Sequence, residues 1–182
     1  MFFPTIILIG LLFQEPGLER QKQPSPVSPG TEEKVLSASV PARATITMER
    51  NRCYGTCPNY SLTITATGKV TYRGKNFVKS KGTRKTRIPR NQVATWFSEL
   101  ERIGFFTLKE RYELVEDGCS SAVSDSPSIT IIVKSGRKSH TVTHFTGCKG
   151  IESLDLLVEL ENAIDEAVKV QRWVAPQPGL NQ

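Results

Sequence analysis

Residues 53–78 read CYGTCPNYSLTITATGKVTYRGKNFV. From Tyr60 onward, Tyr60, Leu62, Ile64 and Ala66 share one face of an extended chain, and Ser61, Thr63 and Thr65 share the other. A period of two marks a half-buried strand. Thr67-Gly68 offers a two-residue turn, and Lys69 to Arg73 returns with Val70 and Tyr72 continuing the apolar face, so the stretch reads as a hairpin. Upstream, Ala44 to Arg50 (ATITMER) alternates likewise and adds a strand. Downstream, Phe77-Val78 and Thr86 to Ile88 add short strands, with the polar run SKGTRK (80–85) as a loop between them.

Beyond Pro89 the period changes. Val93, Trp96, Phe97, Leu100 and Ile103 recur in steps of three and four, the spacing of one helix face, and Pro89 and Gly104 mark its start and stop. The second half repeats the plan. Ile129, Ile131 and Val133 alternate, Ser135-Gly136 turns, Lys138 to Phe145 returns as a strand, and a second helix runs from about Ser153 to Val170. Its apolar face carries Leu154, Leu157, Val158, Leu160, Ile164, Ala167 and Val168. Single strands do not alternate with helices, which argues against a doubly wound parallel sheet. The expected fold is α+β: an antiparallel sheet from two hairpin-helix units, ββ(β)α-ββα, with both helices packed on one face.

The chain has 182 residues, 38% of them hydrophobic, with 13 Gly and 11 Pro, enough for one core and unlike a collagenous or low-complexity chain. The expected single domain spans 43–173. Ahead of it, Phe2 to Phe13 (FFPTIILIGLLF) is an apolar run of twelve residues, the length of a signal-peptide core and short of the ~20 that a spanning helix needs. No Lys or Arg precedes it, and no small-x-small cleavage pattern follows before Gln14-Glu15. Residues 1–14 read as a signal peptide or membrane anchor, placing the protein in the periplasm, the envelope or outside the cell. Residues 15–42, rich in proline and without apolar periodicity, read as a disordered spacer, and 174–182 as a disordered tail.

Four cysteines, Cys53, Cys57, Cys119 and Cys148, behind an export signal argue for two disulfides. Three connectivities are possible, and the geometry favours one: Cys119 and Cys148 flank the second hairpin, whose folding brings them to one end, while Cys53 and Cys57 sit together in the small ring CYGTC. In the chain-entropy view the longer loop contributes on the order of 3 kcal/mol and the small ring less. A redox enzyme would want CxxC at a helix start, whereas here the spacing is CxxxC before a strand. Zinc would recruit His140 and His144, but no C-x2-C partner accompanies them. No metal and no cofactor is expected.

The order Cys53, aromatic, Gly, Thr, Cys57, Pro58, any residue, Tyr60, then strand, glycine turn and a strand ending in Tyr72-Arg73-Gly74, resembles an uncharacterised bacterial family, the domain-of-unknown-function family 6438. The likeness continues through Phe105, Phe106 and Leu108, through Asp125-Ser126-Pro127, and through His144, Phe145, Gly147 and Cys148, covering about Ala44 to Val170. It implies a small domain of exported or envelope proteins, with no established reaction, cofactor or ligand and no catalytic residue to carry over.

The net charge of +6 is concentrated. Between Arg50 and Ser98 stand eleven basic residues, Arg50, Arg52, Lys69, Arg73, Lys75, Lys79, Lys81, Arg84, Lys85, Arg87 and Arg90, and no acidic one, against −1 before and −4 after. These are the candidate anion-binding residues, for an anionic envelope component or an acidic protein; the same charge also protects a sheet edge from aggregation. Nucleic acid is not the expected partner, since no base-stacking aromatics interleave with the basic residues. Membrane association would come through the N-terminal segment. A weaker polar cluster, Asp117, Asp125, His140 and His144, offers an Asp-His base for a small enzyme working at the second hairpin. No nucleophile elbow, phosphate loop or carboxylate pair accompanies it. The expected function is therefore a non-catalytic binding module of the envelope, with catalysis the alternative.

Overall fold

The computed structural model describes residues 40–123 and 125–174. The expected leader (1–14), most of the spacer (15–42) and the tail from 175 lie outside the described residues. The elements are β1 (Thr45–Arg50), β2 (Asn59–Thr65), β3 (Lys69–Asn76), β4 (Gly82–Arg87), α1 (Arg90–Ile103), β5 (Arg111–Tyr112), β6 (Ser128–Ser135), β7 (Lys138–Phe145) and α2 (Glu152–Val168). The strands form one sheet in the order β4-β3-β2-β1-β6-β7-β5. Neighbours are antiparallel except β5, which runs parallel to β7. The fold is α+β, with a mostly antiparallel seven-stranded sheet and two helices.

Register explains why the strands stay together. Met48 stands opposite Leu62 on one side and Ile131 on the other, Leu62 opposite Tyr72, and Ile131 opposite Val142. Residues directly opposite share a face, so these apolar side chains form one buried surface across five strands. The apolar stripes of α1 and α2 contribute to the same hydrophobic cluster. On the other face, threonines pair across strands: the Thr47 hydroxyl donates to that of Thr63 at 3.4 Å, and Thr130 and Thr143 share a hydrogen bond of 3.0 Å.

The helices begin and end where their sequences dictate. Pro89 stands immediately ahead of α1 without a side-chain cap, and Gly104 closes the helix in the left-handed region at φ 73°, donating its N–H to the carbonyls of Glu101 and Leu100. Glu152 and Asp155 in the first turn of α2 oppose the positive end of its dipole. Lys169, at φ 56°, ends α2 slightly earlier than the periodicity implies, and Val170–Arg172 continue as a separate tight turn.

Two strands differ from expectation. The run expected as a loop (80–85) contains most of β4, while Phe77 and Val78 belong to the connection before it, with Phe77 at φ 52°. β4 is an edge strand with no buried residue, so neither face demands apolar side chains and the period of two that marks strands in a sequence is missing. β5 is only two residues long, too short for any period, and it adds an unforeseen parallel edge. Cys53 pairs with Cys57 and Cys119 with Cys148, with Cα separations of 5.6 and 5.2 Å. The second pair sits beside the bridge between Ser121 and Lys149, at the open end of the β6-β7 hairpin.

Two turn glycines adopt positive φ for different degrees of need. Gly68 has φ 78°, and a Cβ there would overlap the Ile88 carbonyl; Gly136 has φ 62° and open space around it. Gly136→Ala is expected to lose about 1 kcal/mol in denaturant unfolding through backbone strain alone. Gly68→Ala should lose about 2 kcal/mol more through the added clash. Equal losses would contradict this close approach of the β2-β3 turn to the Ile88 carbonyl ahead of α1.

Candidate functional site

One cross-strand row runs the full width of the sheet: Gly82, Gly74, Tyr60, Arg50, Ile129, His144 and Tyr112 stand opposite one another from β4 to β5. Its polar members face α2. The Asp165 carboxylate oxygen Oδ2 accepts from Arg50 Nε at 2.6 Å and from the Tyr60 hydroxyl at 2.8 Å, and Arg50 Nη2 donates to Asn162 Oδ1 at 3.1 Å. One turn earlier on α2, Glu161 Oε1 lies 2.8 Å from His144 Nε2, with side-chain exposures of 0% and 1%. Glu161 Oε2 and Asp165 Oδ1 are buried without a hydrogen-bond partner.

Burial pushes the Asp165 carboxyl above the usual carboxylate range, against the pull of Arg50 and of the Tyr60 hydrogen bond. Burial, with the Asp165 charge beside it, drives the Tyr60 hydroxyl upward, so it remains a neutral donor. For Arg50 burial acts in the lowering direction, but the fields of Asp165, Tyr60 and Glu161 outweigh it and raise the guanidinium. These groups bind one another and form a clamp between helix and sheet. A cleft of ≈ 1080 Å³ opens onto it: Arg50, Tyr60 and Asp165 of the clamp line it together with Pro58, Pro127, Ile129 and Val170, and Asn51, Asn162, Glu166 and Gln171 add further polar groups. The CYGTC ring borders this cleft through Cys57 and carries Tyr54, which is 91% exposed.

The four residues of the weaker polar cluster have separate surroundings. His140 Nε2 is 2.9 Å from the Leu108 carbonyl and its ring meets Phe105 edge-on. His144 is committed to Glu161. Asp117 Oδ2 accepts the backbone N–H groups of Glu113 and Leu114 at 2.8 and 3.0 Å, which hold its carboxyl below the usual range. Asp125 is exposed, at φ 67°. Among the described residues no hydrogen bond joins either aspartate to either histidine.

The basic residues separate into groups. Lys69 and Arg73 of β3 and Lys85 and Arg87 of β4 share the face opposite the apolar core, because Val70, Tyr72 and Gly74 between them are buried. Lys69 stands directly opposite Arg87, and Thr71 opposite Lys85. Arg84 lies on the other side of β4, its guanidinium donating to the Thr83 carbonyl at 2.9 Å. Lys75 pairs with Glu49 at 3.2 Å. Lys79 and Lys81 are exposed in the β3-β4 connection, Arg90 opens α1, and Arg52 is exposed ahead of the small ring. Arg50 belongs to the clamp. Among the described residues no ion pair engages Lys69, Arg73, Lys85 or Arg87.

Reasoning from the sequence missed Glu161 and Asp165. Both stand four residues apart within the apolar stripe of α2, between Leu160, Ile164 and Val168, and that placement is the signal that marks them as buried carboxylates needing partners. Fold and side chains together define a disulfide-stapled α+β domain with one apolar, clamped sheet face and one polar face that is basic at the β3-β4 side. The chain belongs to the family described as Domain of unknown function (DUF6438), whose model matches residues 44–168. No curated protein matches it.

Removing one clamp partner strands the other in the core. Glu161→Ala is expected to cost about 3 kcal/mol in denaturant unfolding. Replacing His144 and Glu161 together by leucine should recover most of that loss, because the partnerless Oε2 is removed as well. A double variant no more stable than Glu161→Ala would show that the pair does not act as a unit.

Proposed function

We propose that this protein is an exported binding module whose β3-β4 face docks an anionic partner. The observation that carries the reading is the pairing of Lys69 opposite Arg87, with Arg73 and Lys85 on the same face and no carboxylate paired with any of the four among the described residues. Like charges directly opposite on a sheet destabilise it by several tenths of a kcal/mol, roughly 0.2–1, and an anion laid across them removes that cost. Edge protection alone needs scattered charge on β4, not a matched basic pair on its neighbour. Both helices are taken to cover the apolar face, a reading supported by their membership of one core cluster with the sheet. The threonine and lysine face is then the one offered to a partner.

Export is supported by the two disulfides, which persist in oxidising compartments, and by the apolar run Phe2 to Phe13. No helix among the described residues is long and apolar enough to cross a membrane.

The test is binding to two anionic probes, phosphatidylglycerol vesicles and polyglutamate, at low salt. At least one is expected to bind, with the binding lost by about 0.3 M salt as the Debye length shrinks. The double variant Lys69→Glu with Arg87→Glu should weaken it by about tenfold or more, and Arg84→Glu, on the other side of β4, by less. No binding to either probe at low salt would contradict the proposal.

A further inference from the structure

Among the described residues the basic face continues into an unpaired backbone edge. β4 has β3 on one side and, among the described residues, no strand on the other. Ile88 donates its N–H to the Gly68 carbonyl at 3.0 Å, next in register to the pair Lys69 and Arg87. Hydrogen-bonded and non-bonded pairs alternate along an antiparallel ladder. Thr86, Arg84 and Gly82 therefore turn their backbone groups toward β3, and Arg87, Lys85 and Thr83 turn theirs outward. Arg84 already covers the Thr83 carbonyl at 2.9 Å, which leaves the backbone from Lys85 to Arg87 as the open stretch among the described residues. The outward-facing backbone and the basic face thus meet at the same two residues.

We propose that the anionic partner is an extended acidic polypeptide segment that adds to β4 as an eighth strand, with carboxylates at alternate positions above Lys85 and Arg87. This rests on the anionic-partner reading above and names the partner's class. A lipid or phosphate surface neutralises the lysines and arginines but supplies no regular row of backbone donors and acceptors; an acidic strand supplies both. β4 contains no proline and its ladder with β3 runs without a bulge, so of these edge-blunting devices it carries only charge. That charge repels a second copy of the same strand and selects an acidic one.

The experiment uses the full chain, isotope-labelled, with three probes: a peptide alternating Glu with Val or Thr, a peptide of equal charge with proline at every second position, and phosphatidylglycerol vesicles. Backbone amide exchange at Lys85 and Arg87 is read with each. The alternating peptide is expected to slow exchange at both amides by about tenfold or more and to bind at least about tenfold more tightly than the proline peptide. If both peptides bind alike and neither protects these amides, strand addition is wrong while the anionic-partner reading stands. Binding to vesicles with none to either peptide also overturns strand addition and identifies a lipid surface. No binding to any probe overturns both.

Discussion

Two carboxylates on one helix, Glu161 and Asp165, fix how α2 meets the sheet. They sit one turn apart and reach residues of a single cross-strand row, His144 on β7, and Arg50 and Tyr60 on β1 and β2. Apolar residues in those places would give α2 comparable burial but several ways to slide; a carboxylate that must find a guanidinium and a phenol has one. Buried pairs of this kind add little net stability, because desolvation consumes most of the attraction. Their effect is positional, and β1, the strand with Arg50 at its end, is also the central strand joining the first meander to the second hairpin.

From that arrangement the two faces of the sheet follow. The buried apolar side chains of β1, β2, β3, β6 and β7 belong to the clamped face, and period-two alternation leaves the intervening threonines, lysines and arginines on the other, together with the half-buried Ile132 and Phe145. The two disulfides differ in setting: Cys119 and Cys148 are buried members of the core cluster, whereas Cys53 and Cys57 are half-buried. One holds the five-residue ring beside the cleft, and the other joins the loop after β5 to the end of β7.

Much of this was legible in the sequence, and the failures have specific causes. The β2-β3 and β6-β7 hairpins and α1 were readable because each is half-buried, so burial writes its own period into the residues. β4 was not, since Gly82 to Arg87 are never buried and carry no period. The disulfide pairing followed from the hairpin between Cys119 and Cys148. The clamp was hidden for another reason: Tyr60, Arg50 and His144 become neighbours only once β1 is known to lie between β2 and β6, and chain order does not reveal that. The basic cluster was visible as charge, yet only register separates Lys69, Arg73, Lys85 and Arg87, which share a face, from Arg50, which is held by Asp165, and Lys75, held by Glu49.

The central question is which surface meets the partner. Amide chemical-shift mapping of the labelled protein during titration with polyglutamate addresses it most directly. Shifts are expected to concentrate on β3 and β4, from Lys69 to Arg87, with α2 and the residues around Pro58 and Val170 unchanged. Shifts centred on that cleft, with β3 and β4 silent, would contradict it.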